Sequence, residues 1–491
     1  MLNVNPALLI DFYKADHRRQ YPEGTQEVYS NFTPRSMKLA PPQCRDGVVV
    51  FGIQAIVQGF LVDYWDKHFF SVPKQKVVAQ FKRRMDQSLG KGAITVEHIE
   101  ALHDLQYLPL EVKALPEGTI CPPKVPMLTI RNTKPEFFWL TNSLESVLSN
   151  MLWKGVTAAT IARAYRKVFD RYAEETGFDP NLVQFQGHDF SFRGLSGLDD
   201  AMMVGAAHML SFTGTDNVPA IEFLEEYYFT DEADELIGTS IPATEHSVMC
   251  MGTKDDELGT FTRLITETYP KGFVSIVSDT WNFWQVLTEY LPKLKDTILQ
   301  RDGRVVIRPD SGDPVKIICG DPDAPLGTFE YKGAVQLLWE LFGGTYTHKG
   351  YRLLDPHIGL IYGDSITLDR QEAILSRLKD KGYCSGNVVL GIGSFTYQYV
   401  TRDTFGHAMK ATSGVVNSER REIFKDPVTD SGAKKSARGL LRVESEGGRY
   451  MLYDQQTEEQ EKQGELKTVF LDSEEVNTQT LTTLRKRVAN S

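Results

Sequence analysis

Short apolar runs that end in polar residues alternate with longer amphipathic stretches between residues 181 and 415. The clearest runs are FVSIVSD (273–279), VVIRPDSGD (305–313), IGLIYGDS (358–365) and NVVLGIGS (387–394), and the weaker ones are LVQFQGHDF (182–190) and SIPATEHS (240–247). Between them, apolar residues recur at helical spacing over 199–212, 282–296, 334–342 and 370–382. Strands that alternate with helices indicate parallel βα units, and their number favours an irregular (β/α) barrel over a short open sheet.

The flanking regions have other patterns. Residues 109–132 contain two alternating apolar runs joined by turns rich in Pro and Gly, which predict antiparallel strands of a β-rich unit. Residues 140–177 have helical apolar spacing and end at a glycine, as helices commonly do. The stretch 439–456 has a Glu-Gly-Gly centre that predicts a β-hairpin. The chain therefore divides into an N-terminal region (1–180), a barrel (181–415) and a C-terminal segment (416–491).

Composition and charge narrow the class of protein. The chain has 491 residues, of which 41% are hydrophobic and 24% are charged, with a net charge of −11. Such an acidic chain is not expected to bind nucleic acid generally, because that needs a basic face, but a local basic pocket for a phosphorylated ligand remains compatible. The most apolar stretch, 48–62, is too short and too interrupted to cross a bilayer, so no membrane partner is expected.

The cysteines and the N-terminus bear on the compartment. The five cysteines are odd in number and include no C-x-x-C pair, which argues against a disulfide framework or a zinc site. The first residues lack the basic and apolar regions of a signal peptide. We therefore expect a cytoplasmic protein.

Polar residues follow the apolar runs of the predicted barrel. Because the βα loops of a barrel converge at the C-terminal ends of its strands, these residues are expected to surround one site. A single acid at a strand end is commonly the N-cap of the next helix, but a succession of them favours a pocket. The set comprises His188, Asp189, Glu245, His246, Asp279, Arg308, Asp310, Asp364, Gly391, Gly393 and Ser394.

Several of these residue types suit a phosphorylated sugar. Arg193, Arg308 and Arg402 can each hold a phosphate through two hydrogen bonds, although an ordinary ion pair is an equal alternative for each alone. The glycines of GIGS (391–394) would let backbone N–H groups approach a phosphate. The chain has neither G-x-G-x-x-G nor a P-loop, so a Rossmann site or a P-loop kinase is not expected.

The carboxylates and aromatic residues extend this interpretation. Asp310 and Asp364 can accept hydrogen bonds from a ribose diol, and Asp279 or Asp310 can hold Mg²⁺. Phe190 and Phe192 would share one face of a strand, either as barrel core or as a surface on which a flat ring stacks. Together these residues point to an activated sugar phosphate.

Nine motifs occur in the order of a known family. They are DFYKADH…QYP (11–22), HDFSFRG (188–194), GTD (214–216), PATEHS (242–247), VSD (277–279), IRPDSGDP (307–314), YGD (362–364), TRD (401–403) and FKDPV (424–428). In combination, over about residues 5–440, the chain resembles the nicotinamide phosphoribosyltransferase family.

The resemblance implies a fold and an activity. The fold would be that of type II phosphoribosyltransferases, α/β, with an irregular (β/α) barrel and an additional β-rich domain to which the C-terminal segment returns. The enzyme would be a homodimer with shared active sites, to whose interface the N-terminal region contributes. It would form nicotinamide mononucleotide and diphosphate from nicotinamide and 5-phosphoribosyl 1-diphosphate, with Mg²⁺ required and ATP hydrolysis coupled through a phosphohistidine.

The resemblance also assigns roles to residues. His246 would be the phosphorylated residue, Glu245 would assist it, and Asp279 and Asp310 would serve catalysis and the metal. Phe190 and the other subunit's Tyr13 would enclose the pyridine ring, and Asp216 would face the carboxamide, where it accepts from an amide but repels a nicotinate carboxylate. The remaining substrate contacts would be Arg193, Arg308, Ser275, Gly363, Asp364, Gly393, Ser394, Arg402, Asp11, Arg35, Lys410, Lys425 and Lys434.

The chain departs from the family pattern in two places. Ser394 and Phe395 stand where further glycines are usual in the phosphate loop, and Phe12 stands where a small hydroxyl residue is usual. A serine hydroxyl can donate to phosphate, so we expect the loop to keep its function with altered geometry.

Three alternatives fit the sequence less well. A nicotinate phosphoribosyltransferase would carry out the same chemistry on the acid, and Asp216 argues against it. A catalytically silent relative is disfavoured by the intact set of strand-end residues. An aldolase or lyase on a barrel usually needs a Schiff-base lysine at a strand end, and the strand ends named above have none.

Overall fold

The computed structural model describes residues 3–228, 235–363, 365–425 and 437–491. The chain forms two compact units, one of residues 1–160, 224–233 and 400–491 and the other of residues 161–223 and 234–399. The domain boundaries expected at 180 and 415 remain predictions. The chain passes from one compact unit to the other after residues 160 and 399. Two expected ligand contacts, Asp364 and Lys434, lie outside the described residues, as do residues 426–428 of the FKDPV motif.

The strands are numbered in chain order. They are β1 Thr25–Pro34, β2 Val48–Val49, β3 Leu110–Ala114, β4 Ile120–Cys121, β5 Leu128–Asn132, β6 Gly187–Phe190, β7 Gly214–Thr215, β8 Val274–Val277, β9 Val305–Arg308, β10 Gly344–Tyr346, β11 Arg352–Leu354, β12 Ile358–Tyr362, β13 Val389–Gly393, β14 His407–Val416, β15 Glu419–Glu422, β16 Leu440–Glu446, β17 Arg449–Gln456, β18 Lys467–Leu471 and β19 Glu474–Glu475.

The α-helices follow the same convention. They are α1 His17–Gln20, α2 Ile53–Ile56, α3 Lys74–Leu89, α4 Glu97–Leu105, α5 Leu140–Thr176, α6 Leu198–His208, α7 Val218–Tyr227, α8 His246–Met251, α9 Glu257–Arg263, α10 Phe283–Gln285, α11 Leu291–Leu299, α12 Pro314–Cys319, α13 Phe329–Lys332, α14 Ala334–Phe342, α15 Leu368–Asp380, α16 Ser394–Gln398, α17 Glu458–Glu461 and α18 Leu481–Ala489. Within the described ranges, none has the length and apolar character that crossing a membrane requires.

The second unit contains a parallel sheet with helices between its strands. Six strands pair in the order β7-β6-β13-β12-β9-β8, and each pairing is parallel. The strand β8 is buried throughout, as is typical of a parallel strand covered on both faces. The predicted βα units and the mixed α/β fold are thereby confirmed.

Residues 239–244 join the two edges of this sheet. On one side, the Thr215 N–H donates to the Thr239 carbonyl (2.9 Å) and the Thr239 N–H donates to the Thr213 carbonyl (2.7 Å). On the other side, the Ser275 N–H donates to the Pro242 carbonyl (2.8 Å) and the Thr244 N–H donates to the Ser275 carbonyl (2.9 Å). Both contacts are parallel bridges, so the sheet closes into a ring whose members follow one another in chain order.

The first unit is built on an antiparallel sheet. Its seven strands pair in the order β15-β14-β1-β5-β3-β18-β19. The strands β3 and β5 confirm the prediction for residues 109–132, and Leu110 lies opposite Asn132 in their register. The predicted hairpin is also present, with β16 antiparallel to β17.

A buried carboxylate lies in the first unit. The Glu117 side chain accepts hydrogen bonds from the Gly52 and Gln54 N–H groups (3.0 and 2.7 Å) and from the Tyr228 hydroxyl (2.8 Å). Burial raises the pKa of Glu117 to about 7, although these hydrogen bonds oppose the rise. The folded protein therefore keeps this proton at pH values where the unfolded chain has released it.

Glu117→Gln is expected to flatten the pH dependence of stability. The pKa of Glu117 is 4.5 in its ordinary state and about 7 in the folded protein. The free energy of unfolding of the wild type therefore falls by on the order of 3 kcal/mol as pH rises from below 4.5 to above 7. A glutamine loses one acceptor at every pH but does not titrate. Thermal unfolding at pH 5 and pH 8 should show a smaller difference for the variant than for wild type. Exposed Glu136→Gln is the control, and equal differences in all three proteins would contradict the prediction.

Candidate active site

The site residues predicted from the sequence fall into two sets. The second unit carries Phe190, Arg193, Asp216, Glu245, His246, Ser275, Asp279, Arg308, Asp310, Gly363, Gly393 and Ser394, most of them at the C-terminal ends of the ring strands. The first unit carries Asp11, Tyr13, Arg35, Arg402, Lys410 and Lys425.

Asp279 organises the loop that follows β9. Its Oδ2 accepts hydrogen bonds from the Asp310 N–H (2.9 Å), the Ser311 N–H (2.7 Å) and the Ser311 hydroxyl (2.5 Å). Its Oδ1 is buried and has no hydrogen-bond partner among the described residues. The side chain, which is 4% exposed, thus links two strand ends and leaves one oxygen available.

His246 begins helix α8 and faces two carboxylates. Its Nε2 lies 3.8 Å from Asp279 Oδ1 and 3.9 Å from Asp310 Oδ2, while Nδ1 lies 3.2 Å from the Thr280 hydroxyl. The side chain is 49% exposed, so the ring is fixed at its base and open to a ligand. A neutral imidazole nitrogen in this setting is a suitable nucleophile.

Glu245 does not make the contact that orients the His246 ring. Its carboxylate accepts a hydrogen bond from the Ser247 hydroxyl, two residues further along the chain. Thr280, which the sequence reasoning did not single out, holds the ring instead. A catalytic role for Glu245 remains a prediction.

Arg308 and Gly363 adjoin the Asp310 carboxylate. The Arg308 Nε lies 3.5 Å from Asp310 Oδ1, and its side chain is largely buried. A Cβ atom on Gly363 would lie only 2.4 Å from the same oxygen. The glycine therefore permits the carboxylate to approach the end of β12.

The Phe190 and His188 rings lie together at the end of β6. The Phe190 ring lies 4.6 Å from the His188 ring, and a Cβ on Gly391 would lie 2.6 Å from Phe190 Cδ2. On β8, the buried Ser275 hydroxyl has no hydrogen-bond partner among the described residues. Such an open hydroxyl can bind a polar ligand atom.

Asp216 follows β7 and is held by two donors. His188 Nε2 lies 2.9 Å from Asp216 Oδ1, and the Ser240 hydroxyl donates to the same oxygen (2.5 Å). Burial alone would raise the pKa of Asp216, but these hydrogen bonds and the Arg308 charge hold it below its ordinary value. The carboxylate is therefore ionised at neutral pH.

Ser394 begins helix α16 beside the segment that carries Arg193. A Cβ on Gly194 would lie 2.1 Å from Ser394 Oγ, so the glycine allows the two segments to approach. Arg193 is exposed. A hydroxyl and a guanidinium thus lie on adjacent segments at the barrel rim.

The residues in the first unit form two groups. The Asp11 carboxylate accepts from the Ser146 hydroxyl, and Lys410 Nζ lies 3.2 Å from Glu145 Oε1. Tyr13 is 61% exposed, and partial burial together with the charges of Asp11 and Glu145 raises its pKa.

The second of these groups lies at the turn before β14. Arg35 Nε donates to the Gly406 carbonyl (3.3 Å), and Arg402 lies 3.7 Å from Asp403. Lys425 is exposed at the end of a described segment. The structure therefore leaves the side chains of Arg402 and Lys425 accessible to ligands.

Two family models match the sequence. The nicotinate phosphoribosyltransferase (NAPRTase) family model matches residues 185–474, and the model of the nicotinamide phosphoribosyltransferase N-terminal domain matches residues 5–77. A nicotinamide phosphoribosyltransferase of Acinetobacter baylyi is 58% identical over 99% of this chain and 97% of its own. The chain belongs to the nicotinamide phosphoribosyltransferase family. A relative of that name from Mycoplasma pneumoniae is 34% identical over 86% of this chain and 92% of its own.

Solved structures support the same fold for this family member. A nicotinate-nucleotide pyrophosphorylase from Pyrococcus furiosus superposes with a TM-score of 0.57 at 14% identity, covering 99% of this chain and 95% of its own. A human nicotinic acid phosphoribosyltransferase gives 0.52 at 14% identity, covering 99% and 93%. The type II phosphoribosyltransferase fold predicted from the sequence is confirmed. Membership of the family shown by the relatives makes the protein a phosphoribosyltransferase.

Mg²⁺, which the family resemblance implies, fits the Asp279 and Asp310 carboxylates. The buried and unpartnered Asp279 Oδ1 is a free oxygen ligand of the kind that Mg²⁺ prefers. Within the described ranges there is no group of three or more His, Cys, Asp or Glu side chains arranged to hold a metal ion. A cation bound there would therefore keep water or substrate oxygens in its remaining positions, as Mg²⁺ usually does.

Proposed function

We propose that this phosphoribosyltransferase joins nicotinamide to 5-phosphoribosyl 1-diphosphate and releases nicotinamide mononucleotide and diphosphate, a salvage step toward NAD. The observation that carries the proposal is the ionised Asp216 carboxylate, which is bound by His188, whose ring in turn contacts Phe190. Asp216 accepts from the carboxamide NH₂, Ser275 donates to the carboxamide oxygen, and Phe190 stacks on the pyridine. The names of the Acinetobacter and Mycoplasma relatives support this substrate.

Other side chains of the second unit hold the phosphoribosyl donor. Arg308, Arg193 and His246 bind the diphosphate, while Gly393 and Ser394 bind the 5′-phosphate. Arg402, which belongs to the first unit, is also proposed to bind a phosphate. Asp310 accepts from a ribose hydroxyl, and Gly363 lets the sugar approach the backbone. Asp364 has the same proposed role as Asp310 but lies outside the described residues.

The bond between ribose C1 and diphosphate breaks as the pyridine nitrogen attacks. The ribose then develops oxocarbenium character, which the nearby carboxylates stabilise, as in glycoside chemistry. Bound Mg²⁺ would supply charge stabilisation to the departing diphosphate. The pyridine nitrogen is already nucleophilic and needs no general base, so orientation by Phe190 and Asp216 carries much of the rate.

We further propose that His246 accepts the γ-phosphoryl group of ATP and that hydrolysis of the phosphohistidine is coupled to transfer. Its exposed ring beside two carboxylates supports this role.

We also propose a homodimer in which the exposed Tyr13 serves the neighbouring subunit's ring site, with Asp11, Arg35, Lys410 and Lys425 near its phosphates. A cytoplasmic location is proposed because the five cysteines, all of them among the described residues, form no disulfide.

One assay tests the reaction. Nicotinamide and nicotinate are offered separately with the diphosphate donor and Mg²⁺, with and without ATP, and mononucleotide formation is followed. We expect product from nicotinamide and stimulation by ATP. No product from nicotinamide would overturn the proposed function, and product from nicotinate alone would indicate the acid-specific activity.

Asp216→Asn is expected to lower the preference for nicotinamide over nicotinate by about 10- to 100-fold. An asparagine is neutral, so it no longer repels the nicotinate carboxylate, and its amide can donate to that carboxylate. The measurement is the ratio of kcat/KM values for the two substrates. The exposed Asp199→Asn is the control, and an unchanged ratio in Asp216→Asn would refute the selectivity argument.

A further inference from the structure

Two donors, His188 Nε2 at 2.9 Å and the Ser240 hydroxyl at 2.5 Å, converge on a single oxygen of Asp216. No hydrogen bond from the described residues reaches the other oxygen, Oδ2, and the Asp216 side chain is 44% exposed. A carboxylate only accepts hydrogen bonds, so His188 Nε2 must carry a proton in this pair. In this hydrogen bond, His188 Nε2–H is therefore the donor and Asp216 Oδ1 is the acceptor.

The surroundings of His188 fix its ring. The residue lies on β6, is buried, and contacts the Phe190 ring at 4.6 Å. A Cβ on Gly214 would lie 2.9 Å from His188 Nδ1, so the opposite side of the imidazole fits closely against the backbone of β7. A buried ring packed on two sides has little rotational freedom, and the oxygen that it binds is held with it.

We infer that His188 is a specificity-determining positioning residue: by occupying Asp216 Oδ1 together with Ser240, it aims Oδ2 at the carboxamide NH₂ of the substrate. Without that constraint, the carboxylate rotates and its acceptor lone pairs no longer converge on the amide. Repulsion of a nicotinate carboxylate also weakens, because the charge is no longer held at one place. The role rests on the nicotinamide activity proposed above.

Two substitutions separate the hydrogen bond from the packing of the ring. His188→Met is apolar and flexible, and it removes the donor. His188→Gln keeps an N–H donor near the position of Nε2 but loses the aromatic ring. For His188→Met we expect the KM for nicotinamide to rise about tenfold with kcat changed less than twofold, and the preference for nicotinamide over nicotinate to fall about tenfold. His188→Gln should stay within about threefold of wild type in both quantities.

A double-mutant cycle tests whether His188 acts through Asp216. If it does, adding His188→Met to Asp216→Asn changes the amide-to-acid ratio by less than twofold, because the positioned charge is already gone. The control is His357→Gln, which removes a different His–Asp pair, since His357 Nδ1 lies 2.7 Å from Asp355 at the start of β12. It should leave both KM and selectivity unchanged.

The outcomes separate this inference from the proposed function. A wild-type enzyme that makes no mononucleotide from nicotinamide refutes the proposed function itself. With an active wild type, an unchanged KM and selectivity in a folded His188→Met protein would overturn the positioning role. So would equal losses in the Met and Gln variants, which would assign the effect to ring packing, or full additivity with Asp216→Asn. Melting temperature and circular dichroism establish which variants are folded.

Discussion

His246→Ala is expected to abolish the stimulation of mononucleotide formation by ATP while leaving basal transfer measurable. The imidazole is the proposed acceptor of the phosphoryl group, and alanine has no nucleophile. The two carboxylates 3.8 and 3.9 Å from Nε2 stay in place, so the ribose and Mg²⁺ contacts proposed for them persist. The variant with ATP should be slower than wild type with ATP by about 100-fold, which corresponds to roughly 3 kcal/mol of transition-state stabilisation.

Three measurements test this result. Initial rates of mononucleotide formation are taken with and without ATP, and acid-labile, base-stable phosphate on the protein is quantified after incubation with labelled ATP. Cys250→Ala, on the same helix and exposed, is the matched control and should behave as wild type. Full ATP stimulation of His246→Ala, or equal labelling of its protein, would remove the phosphohistidine from the mechanism.

Asp279→Asn is expected to lower kcat/KM for the phosphoribosyl donor by on the order of 1000-fold. The substitution keeps the shape of the side chain but removes the charge at the buried Oδ1, which is the oxygen suited to a cation. An asparagine oxygen can still accept from the Asp310 and Ser311 N–H groups, so the loop should remain folded. The decrease in kcat/KM would therefore reflect the missing charge at Oδ1 and not an unfolded loop.

Steady-state kinetics at several Mg²⁺ concentrations check this expectation. The apparent Mg²⁺ requirement should rise in Asp279→Asn, and the melting temperature without Mg²⁺ should change little. Asp355→Asn, which loses a carboxylate at the other end of the barrel strands, should leave kcat/KM unchanged. A decrease of less than tenfold for Asp279→Asn would contradict a central role for this carboxylate.

The strands of the barrel were largely predictable because they are buried on both faces and read as continuous apolar runs. The strand predicted at 182–190 is only partly confirmed, since Pro180–Phe185 forms a 3₁₀ helix and the strand starts at Gly187. Pro180 at the first helical position and the Asp179 cap explain this difference. The run at 240–247 joins the ring only through bridges to other strands, which no local pattern specifies.

The sequence predicts which residue types form the site but not which side chains hydrogen-bond to one another. Strand-end position indicated His246, Asp279 and Asp310, because barrel geometry brings such ends together. Thr280 and Ser240 were missed, since short hydroxyl residues in loops are common and their partners depend on side-chain rotamers. The adjacent Glu245, expected to assist His246, does not contact its ring, because successive residues point in different directions and the carboxylate accepts from Ser247 instead.

The segment that closes the ring of strands, residues 239–244, has a consequence for how this enzyme can vary. It is tied to each neighbour by two backbone hydrogen bonds, it carries Ser240 near its start, and it leads directly into His246. In the proposed mechanism, the choice between nicotinamide and nicotinate and the use of ATP therefore both depend on this one short segment. A substitution that shifts this segment to accommodate a different ring substituent would also displace His246. Substrate selectivity and ATP coupling would therefore change together.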